Sequence, residues 1–353
     1  MCRTRAARLP AKKPSMFDFS VVVPTRNRAE SLRRLLRTLL AQQAEGIRYE
    51  VLVVDNGSSD ATRTIVEECA AADSRVRYFM EPRPGVSHAR NTGIVSAAAP
   101  IIAFVDDDVE ARADWLMTLK RAFDEHPDAD CIGGRVRPVW TTPRPAWLTS
   151  SHVGAIAVQD RLTGFTIGAD NASPCLLTAN FACRRAIFED VGLFSPTFRR
   201  GQDRELQMRM WRAGKRGVYR PDVEVVVEPP ADRLTKAYHR RWQATTARYH
   251  ALMWYPDSIA SDNRLVAIDP QRRTLLGTPL FLYRGFLTHV TGLLRAALSF
   301  DANQFFHHES RLWYAVSFIW TRWRQRRAGV TGPQESDVPR YCAVEETNRS
   351  LIA

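Results

Sequence analysis

Long apolar runs are missing from this chain of 353 residues. No segment supplies the roughly twenty uncharged apolar residues that a membrane-crossing helix needs. Cysteine is sparse and unpatterned: Cys2, Cys69, Cys131, Cys175, Cys183 and Cys342 show no C-x-x-C spacing. That argues against a zinc cluster or a disulfide framework, and a reducing cytosol suits the chain. The amino terminus lacks the apolar core of a signal peptide and has instead an acid-free basic tract, Arg3 to Lys13. Glycine is absent from the turn after the first apolar strand. Pro24-Thr25-Arg26-Asn27-Arg28 stands where a dinucleotide fold has G-x-G-x-x-G, and no G-x-x-x-x-G-K-[ST] loop replaces it. Hydride transfer and P-loop hydrolysis therefore lack their phosphate cradle. Internal repeats are absent as well.

What the chain does have is a cluster of carboxylates in an apolar setting. Phe104-Val105-Asp106-Asp107-Asp108-Val109 follows the apolar run Ile101 to Val105, which sets three acids at the end of a predicted buried strand. Such a cluster is costly unless a cation sits with it. Hard oxygen donors suit Mg²⁺ or Mn²⁺, and an ion there is placed to neutralise a diphosphate. The same triplet also fits a solvated turn ahead of a helix starting near Asp114 and Trp115.

The segments before it favour the first reading. Ser20 to Val23 is a short β-branched run, and after the Pro24 to Arg28 turn Leu32, Leu35, Leu36, Leu39 and Leu40 recur at helical spacing. Val51 to Val54 makes a second strand that closes on the turn-rich Asp55-Asn56-Gly57-Ser58-Ser59-Asp60. A third strand, Val76 to Phe79, leads to Pro84-Gly85-Val86-Ser87-His88-Ala89-Arg90-Asn91. Strands alternating with helices predict a mostly parallel sheet with helices on both faces. Ligands of such sheets bind at strand carboxyl ends, where Thr25, Asp55, Arg90 and the triplet converge.

In this order, the strings SVVVPTRNR, VLVVDNGSSD, PGVSHARNTGI and FVDDDV resemble the nucleotide-binding half of family 2 glycosyltransferases, inverting enzymes of GT-A fold that use nucleotide-sugar donors. The likeness covers roughly Phe17 to Pro230. It implies that Thr25, Arg26 and Asp55 contact the nucleotide, with Asp55 at the base. Arg90 and Asn91 match the segment that closes over the nucleotide. Asp106 and Asp108 match the D-x-D pair that holds ribose, Mn²⁺ or Mg²⁺, and diphosphate.

An acceptor hydroxyl attacking the anomeric carbon must lose its proton. Where the family reads Glu-Asp with the Asp as base, this chain reads Gln202-Asp203, so the role passes to Asp203, with Glu205 as fallback. Asp203 also suits a helix amino terminus on charge alone. The segment Thr178 to Arg185 resembles the one beneath the donor sugar, where Asn180 would touch sugar or acceptor. Family members often carry a metal-ligating histidine after the last strand. Here that stretch holds Glu228, an oxygen alternative. Processive members carry Q-x-x-R-W; Tyr238-His239-Arg240-Arg241-Trp242 has Tyr for the Gln, which favours single addition.

The resulting domain reading is a basic disordered tail (1–16), a GT-A-type α/β catalytic domain of mostly parallel twisted sheet (17–230), a helical amphipathic extension (231–330) and a flexible tail (331–353). The net charge of +12 invites a nucleic-acid reading, but recognised motifs for it are missing. Aromatic and basic residues mix in Phe281 to Arg284 and Leu312 to Arg327, a pattern suited to a membrane interface. The expected partners are a nucleotide-sugar donor, UDP-sugar by family prior, and a glycan or lipid-linked acceptor in cell-surface polysaccharide synthesis. The expected place is the cytoplasm, with peripheral attachment to the inner face of the membrane. The competing class is a nucleotide-sugar-binding scaffold without turnover, which Gln202 and Glu228 permit. A sugar-phosphate nucleotidyltransferase would need a Gly-rich loop after the first strand.

Overall fold

The computed structural model describes residues 15–167, 175–253 and 277–329, together with the two-residue strands 258–259, 265–266 and 274–275. The predicted tails lie almost wholly outside the described residues. Strands β1 (Phe19–Thr25), β2 (Tyr49–Asp55), β3 (Val76–Met80) and β4 (Ile101–Val105) pair in parallel in the order 3-2-1-4. Helices α1 (Ala29–Leu40), α2 (Thr62–Ala72) and α3 (Val86–Ser96) are the crossovers between them. These strands read as continuous apolar runs because both sheet faces are covered. Val21 and Val23 join Leu32, Leu36 and Trp115 on one face; Val22 joins Ile94, Phe104 and Phe181 on the other.

Beyond β4 the chain adds β5 (Val109–Ala111), α4 (Trp115–Glu125), β6 (Cys131–Pro138), β7 (Phe165–Ile167), β8 (Asn180–Arg184), α5 (Ile187–Val191), α6 (Gln202–Arg212) and β9 (Gly217–Val227). The sheet continues through β8, antiparallel to β4, then β6, β9 and β5, with β7 on β9, nine strands in all. Mostly parallel pairing thus holds for the half that carries the predicted nucleotide motifs, and the antiparallel insertion of β8 was not legible in the sequence.

Three details position the site. Thr25 and Asp55 are register partners at the ends of β1 and β2, and β4 runs alongside β1 in step, so all three strands end on one rim. Asp60 joins two helix starts: its carboxylate accepts from Ala29 N at 3.1 Å and from Thr62 N at 3.0 Å. Finally, a Cβ on Gly93 would lie 2.3 Å from Val22 Cγ1, so only glycine lets α3 lie this close to β1. That close approach brings Arg90, one turn earlier in α3, to the end of β4.

After β9 come α7 (Lys236–Leu252), α8 (Leu280–Leu298) and α9 (Ala302–Arg327), within the range read from the sequence as a helical extension. The side chain of Thr235 caps α7 and that of Asp301 caps α9. Ala247 and Ala251 of α7 bury Phe318 of α9. Trp147, in the loop after β6, wedges against His239 and Phe306 with ring centroids 4.9 and 5.0 Å away. Among the described residues no helix is long and apolar enough to cross a membrane.

Candidate active site

A cavity of about 430 Å³ opens at the carboxyl ends of β1 and β4, lined by Thr25, Arg26, Arg28, Asn56, Arg90 and the three aspartates, with Gln202 and Arg233 closing one side. Charge explains its construction. Arg90 is 3% exposed and donates from Nη2 to Asp106 Oδ1 at 2.9 Å, while its Nε and Nη1 have no hydrogen-bond partner. Orphaned buried donors on a cation are expensive. Beside a cavity, they form a ready anion contact. The guanidinium also sits over the Phe194 ring, 5.6 Å from its centroid.

The triplet divides its labour. Asp107 turns inward, accepting from the Thr25 hydroxyl at 2.8 Å and from Arg28 Nη1 at 3.2 Å. Asp108 Oδ2 accepts from the same Arg28 nitrogen at 2.5 Å and lies 3.7 Å from Arg233. Asp106 faces the cavity. Burial raises its pKa, and Asp108 and Asp203 add to that rise against the pull of Arg90. Burial likewise pushes Asp107 up to about 6, with Arg28 only partly offsetting it. Arg28 loses stability by burial but is held charged by Asp107 and Asp108, so its pKa is raised.

The carboxylates fit a hard divalent cation. Among the described residues, Oδ2 of Asp106 and Oδ1 of Asp108 accept no protein hydrogen bond, and burial raises the Asp106 pKa even with Arg90 beside it. Glu228 does not join them. It is exposed, its carboxylate accepts from Thr141 at 2.6 Å, and it does not line the cavity.

The remaining sequence candidates separate into those at the rim and those spent inside the fold. Thr25, Arg26, Arg90, Asp106 and Asp108 line the cavity. Asp203 sits half-buried in the first turn of α6 beside Gln202, near enough to Asp106 to repel its charge. Gln202 Oε1 is buried without a partner. Asp55 is buried behind the rim, accepting from Ser58 N at 2.8 Å and from the Tyr78 hydroxyl at 3.0 Å. Burial and then this bond push Tyr78 up to about 12. The neighbour, Asn56, reaches the cavity wall and pins the next loop, donating to Glu81 O and Arg83 O and accepting from Gly85 N.

Two expected sugar or nucleotide contacts are instead structural. Asn91 exchanges both of its amide groups with the Phe194 backbone, at 2.9 and 3.0 Å. Asn180 accepts from Trp115 Nε1 and donates to Arg135 O and Val223 O, deep in the core. Asn91 is 4% exposed and Asn180 1% exposed, so both amides are turned into the fold and away from the cavity. Glu205, the fallback base, is equally committed: it is buried in a two-pronged pair with Arg209. The triplet's alternative reading is met in part: α4 starts at Trp115 after Asp114, which makes no side-chain capping bond and pairs with Arg112, but the turn is not solvated, since Asp107 is 7% exposed.

Arg28 and Arg233 are the site residues that sequence reasoning missed. Arg28 lay inside the PTRNR string, and the neighbouring acids were the available signal for it. Arg233 lies past the last sheet strand, where nothing in the pattern pointed to the cavity.

The high Asp107 pKa yields a sign that can be measured. Below about pH 4 the carboxyl is protonated in both folded and unfolded chains and costs nothing. As pH rises through its folded value near 6, the unfolded chain has already released its proton and the fold must ionise a buried acid, so stability falls. The stability of the parent minus that of Asp107→Asn, from urea titrations, should drop by about 2–3 kcal/mol between pH 4 and pH 7. A pH-independent difference would contradict this account.

Comparison with known proteins places the chain. The sequence model described as Glycosyl transferase family 2 matches residues 20–192. An uncharacterized glycosyltransferase of Mycobacterium bovis is 33% identical over 200 residues, covering 56% of this chain and 81% of that protein. A glucosyl-dolichyl phosphate glucuronosyltransferase of Haloferax volcanii is 25% identical over 258 residues, 69% of this chain and 80% of the relative. A pre-mycofactocin glycosyltransferase of Mycobacterium tuberculosis is 29% identical over 213 residues, 60% of this chain, which spans only 43% of that relative's length. Among solved structures, a mannosyltransferase of Pyrobaculum calidifontis superimposes with a TM-score of 0.49 at 20% identity, over 96% of this chain and 84% of that one, a likeness too distant to carry a ligand assignment.

Proposed function

Since the chain belongs to glycosyltransferase family 2, we propose that it moves one sugar from a nucleotide-diphosphate donor to a hydroxyl of a glycan or lipid-linked acceptor, with inversion at the anomeric carbon. The observation that supports this most directly is the meeting of opposite needs in one cavity: an arginine, Arg90, with two unpaired buried donors, and carboxylates with oxygens that accept no protein hydrogen bond. A diphosphate satisfies the first and a hard cation the second.

In this reading Arg90 and Arg26 receive the donor's phosphates, and Asp106 and Asp108 hold Mn²⁺ or Mg²⁺, which when bound supplies charge neutralisation for the departing nucleotide. Arg28 and Arg233 keep Asp108 ionised and in place. Thr25 fixes Asp107 and so the turn that presents both outer acids. Asp55 lies behind the cavity wall, so its proposed base contact requires that wall to open; it retains lone pairs beyond its two protein bonds, and as an acceptor only it would select a base edge that carries an N–H. Uracil is the first candidate on that ground and on family usage. Asp203 takes the acceptor proton as the new bond forms, and Gln202 offers its free amide oxygen to an acceptor hydroxyl. The division proposed is a catalytic sheet to about residue 230 followed by a helical extension that packs on it and lends Arg233 to the cavity.

A nucleotide-sugar panel read by thermal shift, with and without Mn²⁺, tests the donor. Ligand at about a hundredfold above its dissociation constant stabilises the native state by about 2.7 kcal/mol. The expected outcome is a Mn²⁺-dependent rise in Tm with a UDP-sugar. No response to any donor would sink the donor reading.

The acceptor is proposed to lie at a membrane surface on the cytoplasmic side. Leu287, Leu294 and Leu298 of α8, together with Trp313, Val316 and Trp320 of α9, are exposed, and Arg324, Arg326 and Arg327 end α9. Deleting Leu312 to Arg327 would also remove buried Phe318, so surface substitutions are the cleaner test. The combined Leu287→Glu, Leu294→Glu, Trp313→Glu and Trp320→Glu variant should lose co-sedimentation with anionic vesicles while keeping the parent's circular dichroism. Failure of the parent to bind vesicles would refute the membrane part alone.

A further inference from the structure

A cluster of imidazoles lies outside the cavity, between α8 and α9, and nothing in the transfer chemistry uses it. His289 of α8 and His307 and His308 of α9 each bring one ring nitrogen within 4.8 Å of the others. His289 Nδ1 and His308 Nδ1 are 3.0 Å apart, and the ring centroids are separated by 5.2, 5.3 and 6.1 Å. For a tetrahedral ion bound at about 2.0–2.1 Å, ligand nitrogens sit roughly 3.3–3.4 Å apart, so modest ring rotation closes this set around one centre. We propose that His289, His307 and His308 form a three-histidine site for a borderline divalent transition ion, zinc first, that ties α8 to α9.

Several features of the fold serve such a site. Adjacent histidines on a helix point roughly 100° apart, yet the rings of His307 and His308 both come within 6.1 Å of the His289 ring on the facing helix. The His308 ring fills the space that a side chain at position 292 would take: a Cβ on Gly292 would be 2.3 Å from its Cε1. One nitrogen of His307 meets the Ser151 hydroxyl at 3.2 Å, the kind of outer bond that fixes the orientation of a ligating ring. Arg311 lies close to His289 and His307. Arg311 opposes a dication by charge, and three nitrogen donors outweigh one partly exposed guanidinium. Imidazole donors select zinc, copper or nickel over Mg²⁺, whereas the aspartate cavity has the reverse taste. The two sites are therefore separable by metal. With three protein ligands the fourth position stays open to water or to an outside ligand. Ser151 belongs to the loop after β6 and its neighbour His152 contacts Ser310 of α9 at 3.3 Å, so the ion would also fasten the helical hairpin to the sheet half.

The test uses the full chain stripped with a chelator. Titration with Co²⁺ in the presence of excess Mg²⁺ should give one ion per chain, with the intense visible bands of a four- or five-coordinate site, and zinc should displace it. X-ray absorption of the zinc-loaded parent should count three imidazole nitrogens. His289→Ala and His308→Ala should each weaken binding at least about tenfold, and Asp108→Asn should leave the cobalt spectrum unchanged. No stoichiometric binding in the parent, an oxygen-only shell, or equal affinity after combined replacement of the three histidines would each overturn the proposal, leaving a hydrogen-bonded histidine pair only. The parent's absorption spectrum decides the matter even if the variants fail to fold.

Discussion

Replacing Asp203 with asparagine should lower turnover by about 10²- to 10⁴-fold, the usual worth of a positioned proton acceptor, with donor affinity changed by less than about threefold. The basis is placement. Asp203 opens α6 on the side of the cavity where Gln202 lies, and its charge is felt by Asp106, yet it takes no part in the arginine and carboxylate wall that faces the diphosphate. Steady-state transfer rates and calorimetric donor titration on the same preparation separate the two quantities. Equal turnover in parent and variant would remove Asp203 from the chemistry. Donor binding by a parent that never transfers, with any acceptor tried, would instead favour the scaffold reading.

The second large effect is expected at Arg90. Arg90→Met keeps the length and apolar body of the side chain but leaves Asp106 without its cation. Breaking a buried ion pair by removing one partner costs about 3 kcal/mol at the low end of the measured range, and the low end applies because 30% of the Asp106 side chain remains exposed. The melting temperature should fall by about 4 °C. Donor binding should weaken as well, since the orphaned Nε and Nη1 donors go with the guanidinium. Arg90→Lys is the informative companion: it restores the charge but not the planar fork, so it should recover stability more than affinity. A variant as stable as the parent with unchanged donor affinity would show that Arg90 is mere packing against Phe194.

Much of this was legible before any coordinates. Continuous β-branched runs marked β1, β2 and β4 because buried parallel strands need apolar side chains on both faces, and the leucine spacing of α1 and the acids after β4 put a charged rim where such sheets bind ligands. Side-chain orientation was not legible. Asn91 and Asn180 sit in strings that resemble ligand-contacting segments, but whether an amide faces a cavity or a backbone depends on partners distant in the chain, here Phe194, Arg135 and Val223. Asp107 was passed over for the same reason: in three consecutive acids, only the turn geometry decides which one points inward to Thr25 and Arg28. The antiparallel entry of β8 into the sheet escaped because pairing between segments about eighty residues apart leaves no local signature. The histidine cluster was invisible as well, since its spacing across α8 and α9 matches no compact motif.

Arg233 belongs to the first stretch beyond the sheet, yet it leans back over an acid of the rim. The helical back half and the sheet are therefore not modules that can be parted at residue 230. A fragment trimmed there would retain every string by which the family is recognised and still lack a cation that steadies Asp108, so minimal versions should extend at least through α7. By the same logic, a shift in how the helices dock, whether at a lipid surface or elsewhere, would be transmitted directly to the charge balance around the donor.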